Sequence, residues 1–395
     1  MPRVRVLLVG LLCVASSIVH AQTAPIVVGF ERLSEAQGEA TAQQGRVLLG
    51  ELGCTACHDA PKSLGVWHKT APNLSTAGYR IQTNFLRKWL TSPQSTVPGT
   101  TMPDVLSTLP EAKRADAAES LVHYLKSNST HEGTILSSVS INDETLQHGE
   151  TLFHSIGCVA CHEPRPKALD HLDDGNDLDK TNISTLAIAL PSVPLPDLIH
   201  KSRFSSVFNF LNKPLHARPS GRMPNMKLSV AEAHNLTVYL MSPSGNSTPT
   251  HTPDTFKVDP NRAQQGEALY NSLGCASCHE QNKFKPTAPA FTDTPPTSEA
   301  GCLASSPTAN TPWYGLDARQ RAAIRLALAS TEAPTPAEKL ENKIAQLNCY
   351  ACHERNGIGG IEAGRNPYFH ATAEYDLGDE GRIPPTLTGV GAKLT

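Results

Sequence analysis

The chain has 395 residues, 34 of them Lys or Arg and 37 of them Asp or Glu, and its formal net charge is −3. This near balance argues against nucleic acid or an anionic membrane as the main partner, and the length predicts about two to four domains. Aromatic residues make up only 5% of the chain, which also has 27 Gly and 31 Pro. The composition therefore predicts many loops and a thin core of side chains.

The first 21 residues have the pattern of a secretory signal peptide. Arg3 and Arg5 give a basic start, residues 6–19 are mostly apolar, and residues 19–21 offer small side chains for cleavage after Ala21. The apolar run is shorter than the ~20 residues that a membrane span needs, and no later segment is more apolar. We expect an exported, periplasmic protein whose mature chain has no transmembrane segment.

Eight of the ten cysteines belong to four motifs, in each of which Cys-x-x-Cys is followed directly by His. The motifs are CTACH at 54–58, CVACH at 158–162, CASCH at 275–279 and CYACH at 349–353. Half a zinc site or a redox dithiol would explain one Cys-x-x-Cys pair, but neither explains the same histidine four times. The pattern is the attachment signature of c-type haem and predicts four covalently bound haem c groups.

In such a motif each thiol forms a thioether with a haem vinyl group, and the histidine binds the iron from the proximal side. The expected attachment residues are Cys54, Cys57, Cys158, Cys161, Cys275, Cys278, Cys349 and Cys352. The expected proximal ligands are His58, His162, His279 and His353. After the signal peptide, Cys302 is the one cysteine that no motif uses.

An internal repeat surrounds the motifs. Gly45, Gly149 and Gly266 each lie nine residues before the first cysteine of a motif, and apolar residues three and four positions apart follow them. This spacing predicts a short helix ahead of each haem loop, ended by a glycine directly before the cysteine. The fourth copy has Leu340 and Asn348 in place of the two glycines.

The first two copies also match after their motifs. Each continues with a Pro-x-Leu segment, at residues 72–74 or 196–198, and then with an apolar helical stretch. A Met-Pro dipeptide follows, at Met102 or Met223, and an amphipathic helix closes the copy. Helix, haem loop, helix, methionine loop and helix together make a complete small haem domain.

In these motifs and this order of elements, the chain resembles exported multihaem cytochromes built from repeated class I cytochrome c domains. The resemblance implies an all-α fold of tandem domains joined by polar or Pro-rich linkers. The expected domains, here named copies one to four, are 31–127, 143–242, an abbreviated 260–330 and 335–395. The resemblance also implies axial ligation by His and Met, with each proximal histidine oriented by the proline carbonyl of a Pro-x-Leu segment.

Met102 is the expected distal ligand of the iron at His58, and Met223 that of the iron at His162, with Met226 as a nearby competitor. Both occur in the same Met-Pro context before a closing helix, although ordinary core packing is the alternative for a methionine there. A thioether ligand favours ferrous iron and raises the reduction potential. With both axial positions filled, such haems transfer electrons and do little other chemistry.

The third copy has no methionine after His279, and Trp313 and Tyr314 occur where the methionine loop is expected. Three hypotheses remain for Cys302: a plain thiol, a thiolate ligand of the third iron, or an intermolecular disulfide. If no residue binds the third iron, its sixth position is open to peroxide, another small molecule or water.

The fourth copy matches the Pro-x-Leu segment at residues 385–387 and stops at Thr395, before any methionine loop or closing helix. We expect the chain to be a fragment of a longer product. His370 is a possible substitute for the distal ligand, and a surface histidine is the alternative.

These features favour an electron-transfer protein that carries single electrons between exported redox partner proteins. The alternative is a peroxidase-like redox enzyme in which the third haem binds substrate while the other haems supply or remove electrons. The His/Met pattern of copies one and two supports the first function, and the missing methionine of copy three supports the second.

Overall fold

The structure is a computed structural model, and it describes residues 24–131, 141–165, 191–242, 254–279, 288–293, 299–369 and 378–393. The expected signal peptide and His370 lie outside these residues. The described residues are mostly helical, with one antiparallel pair of short strands, β1 (Glu354–Arg355) and β2 (Ile358–Gly359). The predicted all-α class is therefore confirmed. Within the same residues, no helix is long and apolar enough to cross a membrane.

The helices follow one another in short segments along the chain. The first part contains α1 (Val28–Gln37), α2 (Ala42–Glu51), α3 (Ala77–Arg80), α4 (Thr83–Thr91), α5 (Pro93–Thr96), α6 (Glu111–Ser127) and α7 (Asp143–Ser155). The middle part contains α8 (Leu198–Lys201), α9 (Phe204–Asn212), α10 (Pro214–Ala217), α11 (Val230–Met241) and α12 (Pro260–Ser272). The last part contains α13 (Cys275–His279), α14 (Ala318–Ala329), α15 (Pro336–Gln346) and α16 (Asp379–Arg382).

Capping boxes begin five of the longer helices. In each box the N-cap side chain accepts a hydrogen bond from the third helical amide, and the side chain at that third position bonds back to the N-cap amide. The N-cap residues of α2, α7, α11, α14 and α15 are Thr41, Asn142, Ser229, Asp317 and Thr335. The boxes of α2, α7 and α15 fix where the helices ahead of the first, second and fourth Cys-x-x-Cys-His motifs start.

Three helix crossings bring backbones into close contact at the repeated glycines. α2 crosses α14 at Gly45, α7 crosses α11 at Gly149, and α12 crosses α6 at Gly266. At each crossing a Cβ atom on the glycine would overlap a backbone carbonyl oxygen of the partner helix. Only glycine permits such an approach, which explains why a glycine precedes each of the first three motifs.

The helices that form these crossings are exchanged between two of the copies. In copy two, α7 and α11 come from the same repeat and pack on each other. In contrast, α2 of copy one packs on α14 of copy three, and α12 of copy three packs on α6 of copy one. Copies one and three therefore intertwine in the structure, although each is a separate repeat in the sequence.

The apolar clusters follow the same grouping. One cluster joins α1, α2 and α14 with Tyr314 of copy three and Tyr350 of copy four. A second joins α7, α9 and α11 with Tyr368 and Phe369 of copy four. Two smaller clusters lie where α4 and α6 meet Phe256 and the C-terminal end of α12. In addition, α1 packs against α15, the helix that leads into the fourth motif.

Candidate haem-attachment site

The four Cys-x-x-Cys-His loops begin with the same backbone conformation. The residue before the first cysteine is left-handed in each, with φ of 69° at Gly53, 97° at Gly157, 72° at Gly274 and 60° at Asn348. Asparagine is among the non-glycine residues that tolerate this conformation best, so the fourth loop can use Asn348. Three of the loops then form a 3₁₀ turn, and the third forms the short helix α13.

The turn brings the histidine of each loop back over the first cysteine. The His58 amide donates to the Cys54 carbonyl at 3.1 Å, and the His162 amide donates to the Cys158 carbonyl at 3.0 Å. The fourth loop has the same bond at 2.9 Å. Two thiols and an imidazole therefore project from a single turn of backbone.

A remote backbone carbonyl orients each of the four histidine rings. Nδ1 bonds to Pro289 O at 2.6 Å in His58, to Val193 O at 3.0 Å in His162, to Pro72 O at 2.9 Å in His279 and to Pro385 O at 2.7 Å in His353. Because a carbonyl oxygen only accepts, Nδ1 carries the proton and Nε2 keeps the lone pair that binds a metal. This is the hydrogen bond expected to fix the tautomer of a metal-binding histidine.

The partners in these bonds differ from the expected ones in copies one, two and three. Pro72, which begins the Pro-x-Leu segment of copy one, bonds to His279 of copy three. Pro289 of copy three bonds to His58 of copy one. In copy two the acceptor is Val193 rather than Pro196. The order of the segments along the chain therefore does not show which segment orients which motif histidine.

The motif cysteines are half-buried, and none of the nine described cysteines forms a disulfide. Burial raises the pKa of Cys158 and Cys278 to about 12 and that of Cys275 and Cys352 to about 11. Over the described residues, no group of three or more His, Cys, Asp or Glu side chains is placed to hold a metal ion.

The four loops lie in two pairs. A Cβ atom built on Gly53 of the first loop would lie 3.9 Å from Sγ of Cys278 in the third loop. In the other pair, Asn348 of the fourth loop donates from Nδ2 to Sγ of Cys161 in the second loop at 3.2 Å. The first motif is therefore adjacent to the third, and the second is adjacent to the fourth.

A buried arginine of copy four holds the second loop in place. Arg365 is 2% exposed and donates to the carbonyl oxygens of Val159 and His162, the latter at 3.0 Å. Its charge is balanced by Glu362, whose carboxylate lies 2.8 Å from Nε. Sequence reasoning missed Arg365, because it lies outside every repeated pattern of the chain.

The first loop is surrounded by residues of copy three. Phe291 stacks on the His58 ring with centroids 4.9 Å apart, and the buried Tyr314 donates from its hydroxyl to the Leu52 carbonyl at 3.0 Å. Cys302 packs against the same apolar cluster as Cys54, and its pKa is raised to about 11 by burial and by the neighbouring Cys57. Cys302 therefore lies beside the first motif.

The two expected methionine ligands lie in different surroundings. Met223 is half-buried against the second apolar cluster, together with Cys158 and Cys161. Met102 is also half-buried, and its carbonyl accepts a hydrogen bond from Gln94 at 3.4 Å. Met226 is not among the residues that pack against the second cluster.

A group of positive charges lies near the second and third motifs. Burial, followed by the charges of Arg218 and Arg80, lowers the pKa of Lys201 to about 7. Arg80 also donates to the carbonyl of Asn73, next to the Pro72 that orients His279. Because carboxylates stabilise the charged form of a lysine, the two propionates of a haem group fit such surroundings. The loops, the thiols and these cations are thus consistent with haem.

Comparisons of the chain with protein-family models, with curated proteins and with solved structures gave no match.

Proposed function

We propose that the protein is an exported tetrahaem c-type cytochrome, built from class I cytochrome c repeats, that carries single electrons between redox partner proteins. The observation that carries the proposal is the shared geometry of the four loops. Each loop presents two thiols and a histidine on one turn, and each histidine has its Nδ1 bonded to a carbonyl. One such turn has other uses, but four with the same oriented histidine fit haem attachment.

The residues of the chain determine how each haem would be held. The two thiols of each motif would form the covalent bonds to the haem, and the histidine would supply Nε2 as the proximal ligand. Haem provides one-electron redox chemistry, and a methionine ligand raises its potential. Buried apolar residues around the loops exclude water, which also favours the ferrous state because the ferric centre carries more charge.

The pairing of the loops supports electron transfer in particular. Electron-transfer rates fall steeply with distance, so a carrier with several haems needs neighbours that lie close together. Gly53 and Cys278 bring the first and third loops into contact, and Asn348 and Cys161 join the second and fourth. Each haem would therefore have one near neighbour.

Haem counting tests the proposal. The periplasmic protein is denatured, freed of loosely bound haem by acid extraction, and assayed by the pyridine haemochrome method and by intact mass. We expect four haems per chain, and the paired variant Cys158→Ser/Cys161→Ser should lose one. Cys302→Ser is the matched control and should keep all four. Extraction of all the haem, or zinc in its place, would rule the proposal out.

The second candidate is a peroxidase-like redox enzyme with one open iron. It is favoured by the two buried aromatic residues Trp313 and Tyr314, which stand where copy three lacks a methionine. Peroxide-dependent oxidation of a reduced partner, lost on replacement of a single proximal histidine, would support it. If the four haems transfer electrons but neither bind nor reduce peroxide, only the electron-carrier function remains.

A further inference from the structure

Copy two provides an internal template for the way one haem motif is completed. The segment after the motif supplies Val193 to the Nδ1 of His162, and its closing helix α11 crosses α7, the helix ahead of the motif. The same segment carries Met223, which packs against the same apolar cluster as Cys158 and Cys161. Proximal carbonyl, distal methionine and closing helix therefore come from one continuous segment.

For the third motif, that segment belongs to copy one. Pro72 provides the carbonyl for His279 at 2.9 Å, and α6 is the helix that crosses α12. Met102 lies between Pro72 and α6 in the chain, at the same place in the order as Met223 in copy two.

Leu106, four residues after Met102, lies beside the helix ahead of the third motif. Leu106 is fully buried in a cluster with Ala117 and Ala118 of α6, and Leu269 and Leu273 of α12 pack against that cluster. The methionine loop of copy one is thus held beside the helix that leads into Cys275.

For the first motif, the completing segment belongs to copy three. The Ala288 amide donates to the Cys57 carbonyl at 3.1 Å, and the Phe291 amide donates to the Asp59 carbonyl at 3.0 Å. The closing helix is α14, which crosses α2. The sequence from 288 to 330 contains no methionine.

We propose that copy one supplies the distal ligand of the third motif, so that Met102 would bind the iron held by His279 and the iron held by His58 would have no methionine ligand. The inference rests on the proposed function, since it concerns haem groups in the same loops. It reverses the assignment that the sequence order suggests. It also moves the open or unusually ligated iron from the third motif to the first, beside Cys302 and Tyr314.

The methionine–iron(III) bond has a weak far-red absorption band, which allows the two assignments to be separated. The oxidised protein with all haems attached is compared with two variants, Cys275→Ser/Cys278→Ser and Cys54→Ser/Cys57→Ser, each of which lacks one haem. We expect the first variant to lose the share of the band that comes from Met102 and the second to keep all of it, because only the first variant lacks the haem that Met102 would bind. Met102→Ala should lose the same share of the band.

The reverse result, with the band reduced only in the Cys54→Ser/Cys57→Ser variant, would overturn the assignment of Met102 to the iron at His279. It would leave the proposed function in place. An unchanged band in both cysteine variants and in Met102→Ala would overturn that assignment too, since Met102 would then bind no iron. A protein without covalent haem would overturn both proposals. If the cysteine variants fail to fold, His279→Ala and His58→Ala repeat the comparison with all four haems attached.

Discussion

The substitution Gly266→Ala tests the crossing of α12 and α6, on which the pairing of copies one and three depends. A Cβ atom at this position overlaps the Ser120 carbonyl oxygen and approaches Tyr124 Cβ to 2.7 Å. Both atoms are fixed to the partner helix, so no side-chain rotation relieves the overlap and the two helices must separate. Alanine, which is normally the better helix former, should therefore weaken the structure at this site.

The size of the effect follows from two opposing contributions. Alanine gains about 1 kcal/mol of helix propensity over glycine, whereas overpacking of a tight contact costs about 1–3 kcal/mol. The obstacle here is a backbone carbonyl, so we expect the upper end of that cost and a net loss of about 2 kcal/mol. This loss corresponds to a local opening constant about 30-fold larger, which hydrogen exchange of the purified full-length protein measures on peptides from 111–127.

Two further variants make the measurement decisive. Gln265→Ala changes an exposed neighbour in the same helix and should leave the exchange of residues 111–127 unchanged. Gly45→Ala, at the crossing of α2 and α14, should loosen residues 318–329 instead. Unchanged protection of 111–127 in Gly266→Ala, or a loss confined to 318–329, would refute the exchanged helix pairing.

Two other variants test a buried charge and the surroundings of the first motif. Burial alone would raise the pKa of Asp254, but hydrogen bonds from Lys126 and Thr83 lower it to about 2. The ionised carboxylate of Asp254 therefore stabilises the fold fully above about pH 4, and this stabilisation is lost as the pH falls towards 2. Asp254→Asn should be less stable than the native protein at pH 7 in urea unfolding, and a gap that persists at pH 2 would contradict this reasoning. Tyr314→Phe removes the buried hydrogen bond to the Leu52 carbonyl and should cost about 1–3 kcal/mol; exchange protection of residues 42–51 equal to that of the native protein would count against it.

The sequence was sufficient for the local features of the site, because these depend on short-range patterns. The cysteine and histidine spacing places two thiols and an imidazole on one turn, and the apolar periodicity predicts the helix ahead of it. The left-handed residue before each motif is also readable, since Gly or Asn occupies it in all four copies. The all-α class follows from the same patterns.

The sequence did not show which helix packs on which, because the repeats resemble one another. Gly149 meets Tyr239 and Gly266 meets Tyr124 at crossings of the same kind. Because the copies carry similar helix faces, the leading helix of one copy fits the closing helix of another. Sequence order favoured pairing within each copy, whereas the structure pairs α2 with α14 and α12 with α6. Arg365 was missed for a different reason, since its contacts to the second loop span more than 200 residues.

The pairing of helices between copies one and three changes how the proposed electron relay would work. Four haem domains on flexible linkers would vary in separation, whereas intertwined copies one and three hold their motifs at a fixed distance. The two pairs of loops are also tied together: Glu51 at the end of α2 forms an ion pair with Arg222, the residue before Met223, and its carboxylate lies 3.2 Å from Lys69 Nζ. A methionine loop of one pair is thus anchored to the leading helix of the other. Such a rigid arrangement suits electron transfer along a defined path, because the slowest step then depends on packing rather than on the motion of linkers.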